Sequence, residues 1–501
     1  MQNLNRRKLL GSSAAGAAAL SIRRCEASNV VQANLGGEAT ELELERLAEN
    51  IMECEPHRVV DFLIAKSNSG MVPQDLQLAC FIAGMRFHGH HSAYVAHPIH
   101  VVSEQLSAEY SQLPLFYYAS VLRFRAKRTA LRELVNGILP SASRAKEYFH
   151  AAMEKGERND ATLAMKALCN EYGHRQAYEE LWKYAAQRNH NSGGHTAISV
   201  VNTYRTLHAT GWRCADTALQ FAVADEAWHM PGGSGLQAEN WIRALQVGRL
   251  PQGWNASTSH AVTVRELLQL FRQGKASLAC EEIHAKLASG EVSSGTIWDA
   301  VFLVTAELVM RYRWVGSKRL AGHSVTCVNA LNFLFRNSND AQIQLYALLE
   351  SVEWAVSFLQ RERDRPALRS KSILELDSAI ADVEDDQLDQ VFAKLPPRRF
   401  ASMHRPDLSE VDAAMQLAFN WALHREDYSE FWQMAQKLMC MKSTPEVHDF
   451  KYPMALLENC QHVSERWRPY LLAASVHVLQ GTDMEDSPIV YEASQKLNVL
   501  Q

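Results

Sequence analysis

The 501-residue sequence has no Walker A loop, no His-Glu-x-x-His helix, no Gly-x-Ser-x-Gly elbow, and no Cys-x-x-Cys or Cys-x-x-Cys-His pair. These absences exclude a P-loop nucleotide site, a zincin centre, a hydrolase nucleophile elbow, a cysteine zinc knuckle and a covalently attached c-type haem. "GGSGLQ" follows no strand pattern, so it is not a dinucleotide loop. No apolar run is long enough to cross a bilayer. An excess of positive charge is also missing: 51 basic residues face 56 acidic ones. That balance speaks against a nucleic-acid partner, which demands a basic face. Runs of alternating apolar and polar residues are scarce, and no period of 20–50 residues repeats. An exposed β-sheet and a regular solenoid therefore both lack their signature.

Apolar residues recurring at three and four fill most of the chain. Examples are "LERLAENIMEC", "PQDLQLACFIAGMRF", "AYEELWKYAAQ" and "AAMQLAFNWALHREDYSEFWQMAQKLMCM", each the pattern of an amphipathic or buried helix. Pro73 reads as a first-turn residue, and Ser141 or Ser143 as a helix cap after Pro140. The expected fold is mainly α, a large multi-helix, bundle-like protein without a substantial β-sheet. Loop-rich stretches near residue 231 suggest an N-terminal helical region over 28–230 and a C-terminal one over 231–501. One continuous core fits the apolar density equally.

The first 27 residues read as an address. Arg6 and Arg7 precede a short Ala-, Gly- and Ser-rich run, as in a twin-arginine export signal, with small residues before a cut near Ala27. Removing that segment takes five bases and one acid away, leaving 46 and 55 and a net charge of about −9. The expected partners are the twin-arginine export machinery and a small-molecule substrate, with no stable membrane insertion and a periplasmic location. Eight cysteines remain beyond Cys25, mostly inside apolar helical patterns where the thiol acts as a small hydrophobe. Their spacing does not assign a disulfide.

What the chain does have is histidine in unusual places. His88, His90, His91, His97 and His100 fall within 13 residues, in a chain with 20 histidines. Imidazole is the common ligand for Zn, Cu, Fe and Ni and the common proton shuttle. "GGHTAISVVNTYR" puts His195 in a first helical turn, with Asn202 two turns on and Arg205 beyond it. Together they form one polar stripe on an apolar helix. "AGHSVTCVN" repeats the theme with His323 and Asn329 six apart, and "EVHDFKYPMALLENC" adds His448, Asp449, Lys451 and Tyr452. Asp449 could fix an imidazole tautomer or cap the helix, and Lys451 could bind an anion. A histidine in a first turn meets free N–H groups and the positive end of the helix dipole, which favour the neutral ring that binds metals. Glu226-x-x-His229 and Glu281-x-x-His284 have the spacing of di-iron helix bundles, for which Glu350 and Glu353 could supply the lone carboxylates.

The segments "FIAGMRFHGHHSAYVAHPIH", "GHTAISVVNTYRTLHATGW", "HSVTCVNALNF" and "HDFKYPMALLENCQHVSERWRPYLLAASV" resemble a group of twin-arginine-exported bacterial proteins without an assigned activity. More distantly, the helical chain with its His-x-x-Lys element resembles the questin oxidase-like family, which implies Baeyer–Villiger-type oxidation of polyketides. The positions that carry over are His323 with Asn329, and His448 with Lys451. The leading expectation is an exported, oxidoreductase-like enzyme with a histidine-rich pocket acting on an organic substrate. His323, His448 and Lys451 would be catalytic, Asn202, Arg205 and Asn329 substrate-binding, and His91 and His195 metal-ligating. A transition metal or haem is the implied cofactor. The rival is a non-catalytic periplasmic binding or scaffold protein whose histidines close buried hydrogen-bond networks.

Overall fold

The computed structural model describes residues 39–498, apart from 89, 126–131, 191, 229–234, 313–317, 363–367, 382–386, 396–407 and 445. The export signal expected over residues 1–27 and His229 lie outside the described residues. The described residues are 75% helical. Among the described residues the extended contacts reduce to one isolated bridge, Tyr312 with Leu368. Glu38–Gln501 forms one compact unit, and helices from both sides of residue 231 pack on one another. No described helix is long and apolar enough to cross a membrane.

Helix starts follow local chemistry. Thr40 caps Glu41–Glu53, with the Glu43 carboxylate accepting back from the Thr40 N–H at 2.7 Å, a reciprocal capping box. Pro73 opens Pro73–Ala83, and Ser141 stands at the N-cap of Ala142–Lys155. Ser294–Arg311 is buried on all sides from Thr296 to Met310, as a helix apolar all round must be. Of its two buried carboxylates, Glu307 pairs with Arg272 and Arg311 and Asp299 accepts from the Ser464 N–H at 2.9 Å; buried charge is tolerated when paired or hydrogen-bonded in this way.

Four elements position the histidines. Pro73–Ala83 runs into a π-helical turn, Gly84–His88, then into the short helix His90–Ala93. The His195 helix is His195–Ala209, the His323 helix Lys318–Asn337 and the His448 helix His448–His462. The His323 helix packs on the other two long ones, and His90–Ala93 packs on the His195 helix. Ala341–Glu362, here the Glu350 helix, lies along the His323 helix.

Candidate metal centre

Each histidine is held by its own local device. Gly193 and Gly194 have φ of +65° and +86°, the left-handed region that glycine reaches without steric cost. The turn they make delivers His195 to the first residue of its helix, and Ser192 Oγ accepts from the Thr196 N–H at 3.0 Å. The Ser192 hydroxyl thereby satisfies one of the free N–H groups of that first turn. A Cβ on Gly194 would lie 2.9 Å from the Trp354 ring and 3.1 Å from Cys327 Cβ. Gly194 therefore also lets the Glu350 helix approach. In the His448 helix, Pro453 has no N–H to give the Asp449 carbonyl. Gln480 Nε2 donates there instead at 3.3 Å, so the first turn carrying His448 stays anchored.

The four imidazoles converge. Ring centroids stand 4.6 Å apart for His91–His195, 4.7 Å for His195–His323, 5.4 Å for His323–His448 and 5.5 Å for His448–His91, all edge to face. They form a closed square in which each ring meets two others. His91, His195 and His323 offer ligand nitrogens that all lie within 4.8 Å of one another. His195 Nε2 and His323 Nε2 are 3.1 Å apart. Two nitrogens about 2.0–2.1 Å from one metal, at angles between a right angle and tetrahedral, would stand about 2.9–3.4 Å apart.

The outer nitrogens are engaged in the way that metal-ligating histidines require. His195 Nδ1 lies 2.6 Å from the Ser192 carbonyl. Because a carbonyl only accepts, Nδ1 carries the proton and Nε2 the lone pair. His448 Nδ1 lies 2.6 Å from Glu446 Oε1, which fixes the same tautomer. The carboxylate that meets this ring is Glu446; Asp449 instead accepts from Thr444 Oγ1 at 3.0 Å. Tyr452 OH is 3.4 Å from His323 Nδ1. In the absence of a metal, His323 Nε2–H can donate to His195 Nε2. With a metal, the proton moves to Nδ1 and donates to Tyr452. Glu446 was not singled out from sequence; its only signal there is the Glu-x-His spacing ahead of a helix.

Tyr94, Tyr452 and Lys451 border the square. Tyr94 is buried, and burial first, then Asp225, pushes its hydroxyl well above the ordinary phenol range. It stays protonated. Lys451 lies one turn beyond His448 and is 2% exposed. Its Nζ is 5.4 Å from the Tyr452 ring and 6.0 Å from the Tyr94 ring.

The three residues read as substrate-binding sit elsewhere. Asn202 donates to the Tyr94 carbonyl at 2.9 Å and so ties down the turn after His91. Arg205 bonds Asn329 Oδ1 at 3.1 Å and Glu458 Oε2 at 3.0 Å, and Asn329 bonds Asn459 at 2.9 Å. His97 joins this second network, 3.5 Å from Glu458. Burial opposes the charge on Glu458, but Arg205 and the His97 hydrogen bond outweigh it and hold that carboxyl well below its usual range. Burial pushes His97 down despite its acidic neighbour.

The di-iron pattern is not formed from its expected pieces, since Glu281 is exposed. Glu350 and Glu353 are buried, but they meet His190, whose ligand nitrogen lies within 4.8 Å of an oxygen of each. Four imidazoles in edge contact leave no slot of porphyrin width between any two of them, so the geometry favours a mononuclear ion over haem. Seven of the described cysteines are buried and form no disulfide; burial pushes Cys169 and Cys214 up to about 12, which keeps those thiols unreactive. Comparison with protein-family models, with curated proteins and with solved structures returned no match.

Proposed function

We propose that the protein is an exported metal-dependent oxidoreductase whose centre is one first-row transition-metal ion held by His91, His195 and His323, with His448 closing the square of imidazoles beside them. The observation that carries this reading is the cluster of three ligand nitrogens within 4.8 Å of one another, with the His195 and His323 Nε2 atoms 3.1 Å apart and their outer nitrogens bound. A neutral imidazole set suits Fe, Cu, Zn or Ni; the oxidoreductase reading selects a redox-active one. Such an ion would supply electron transfer between an oxidant and an organic substrate. The chain's own groups would orient and hold. Glu446 stiffens His448, and Tyr452 presents its hydroxyl beside His323. The Lys451 ammonium sits on the tyrosine side, placed for an anionic or carbonyl oxygen of the substrate. His91, His195 and His323 are half-buried, which leaves an approach from solvent. Ligands drawn from positions 91 to 448 meet only in the folded chain. Twin-arginine export, which carries folded proteins, fits a centre loaded before transport.

Metal analysis and electronic spectra of natively exported protein test this reading. It expects at least one equivalent of redox metal, lost in the His91→Ala, His195→Ala and His323→Ala variants while helical content stays. It also expects metal-dependent dioxygen consumption with an oxidisable organic substrate that itself supplies the electrons. Metal retained in all three variants would overturn the centre. Bound metal without turnover on any oxidisable substrate would favour the binding-protein reading.

A further inference from the structure

A second cluster of ligand-type side chains lies on the far side of Trp354. Glu350 and Glu353, one turn apart on the Glu350 helix, are 0% and 1% exposed. His190, five residues before His195, brings Nε2 to 3.4 Å from Glu353 Oε1, and that nitrogen has no hydrogen-bond partner among the described residues. The ligand atoms of His190, Glu350 and Glu353 all lie within 4.8 Å of one another. Asn240 Nδ2 donates to Glu350 at 3.2 Å and to Glu353 at 2.9 Å, and Gln237 Nε2 donates to Glu350 at 3.1 Å. These amides, one turn apart on the helix Gly235–Ala244, orient the carboxylates from outside, as outer-shell partners of a metal do.

The two carboxyls hydrogen-bond each other, and both are buried beside the His190 ring. Tyr346, four residues before Glu350, is fully buried beside both carboxylates, and its hydroxyl has no hydrogen-bond partner among the described residues. Buried carboxylates are stable when paired or when they coordinate a metal.

We infer that His190, Glu350 and Glu353 bind a second divalent first-row metal ion, such as Mn2+, Fe2+ or Zn2+, separate from the imidazole centre. Two carboxylates cancel the dication, and mixed carboxylate and imidazole ligands suit those ions. The two sites share the turn 189–195 and the indole of Trp354. That ring meets His190 edge to face at 5.1 Å, and its Nε1 donates to the His323 carbonyl at 3.1 Å. The second site does not depend on the first.

The test is Mn2+ titration of the full chain after chelator dialysis, read by loss of the free-ion EPR signal and by native mass spectrometry. Mn2+ suits carboxylate ligands and is not selected by an all-imidazole set, so wild type should take one equivalent. His195→Ala/His323→Ala should take the same equivalent, weakened at least tenfold by adding His190→Asn. Glu350→Gln/Glu353→Gln, with helical content checked by circular dichroism, should take none. A wild type that takes none, a glutamine variant that takes as much Mn2+ as wild type, or an alanine variant that takes none would overturn this inference.

Discussion

Gly322 offers a sharp test of the centre because it touches no proposed ligand atom. It precedes His323 in mid-helix, and the Tyr452 ring lies across it. A Cβ built there would stand 2.0 Å from Tyr452 Cε2, 2.1 Å from Cδ2 and 2.3 Å from Cζ. Those are ring carbons of a side chain only 4% exposed, so the ring must move by more than an ångström. Overpacking of this kind costs about 1–3 kcal/mol. Spread over a chain of this length, each kcal/mol lowers Tm by only about 1 °C, so the urea midpoint is the better stability readout. The second effect is at the centre. Tyr452 OH sits 3.4 Å from His323 Nδ1, and losing such an outer partner weakens metal affinity about 10–100-fold. Gly322→Ala should therefore lower both. Tyr452→Ala in the same chain makes room for the new methyl, so the stability costs should couple favourably by about 1–3 kcal/mol in a double-mutant cycle. Strictly additive costs, or a Gly322→Ala protein with wild-type midpoint and wild-type metal affinity, would refute the packing and its link to His323.

Two further outcomes rest on buried charge. Burial pushes Glu226 up to about 8, so the folded protein holds a proton that the unfolded chain releases near 4.5. That contribution is complete below the unfolded value and is lost as pH rises through about 8, by on the order of 4–5 kcal/mol. Glu226→Gln should gain stability over wild type steadily between pH 5 and pH 9 in urea unfolding; a difference that is flat with pH would show the carboxyl is already ionised. In the second network, Glu458→Gln strips the charge partner from Arg205, which is only 10% exposed, and should cost about 3–5 kcal/mol. Arg205→Met/Glu458→Gln should recover part of that loss in the same assay, and a double variant no more stable than the single would contradict the pairing.

How far the sequence could be read depended on the kind of signal. The helices were legible because apolar residues at three and four leave a one-dimensional trace, and because Pro73 and Ser141 mark starts by local sterics and hydrogen bonding. His91, His195, His323 and His448 were legible as candidates from local signals too. His91, His195 and His448 stand at or near a helix start, a local property, whereas His323 lies in the second turn of its helix and was legible by the likeness of its segment to that of His195. Their meeting was not legible, since it depends on how the His195, His323 and His448 helices pack. The polar stripe of His195, Asn202 and Arg205 shows the limit of face arguments. The three share a helix face, yet His195 turns to the imidazoles, Asn202 to the Tyr94 carbonyl and Arg205 to Glu458.

The second cluster shows what local signals cannot carry. A Glu-x-x-Glu pair on a helix usually faces water, where its desolvation costs nothing. Glu350 and Glu353 face inward only because Gln237 and Asn240, with the same spacing on another helix, supply the opposing amides. His190 reaches them because Gly194 lets the turn before the His195 helix press against Trp354. Glu350 and Glu353 were legible only as candidate carboxylates for a di-iron pattern, and their pairing with His190 exists only in three dimensions. The same turn that aims His195 into the square therefore aims His190 out of it. A substitution at Gly194 should disturb both clusters together, whereas Gly322, on the far side of His323, should disturb only the square. If Gly194→Ala weakened metal binding at one cluster and left the other at wild-type affinity, the turn would not be the common support that its φ angles and its contact with Trp354 imply.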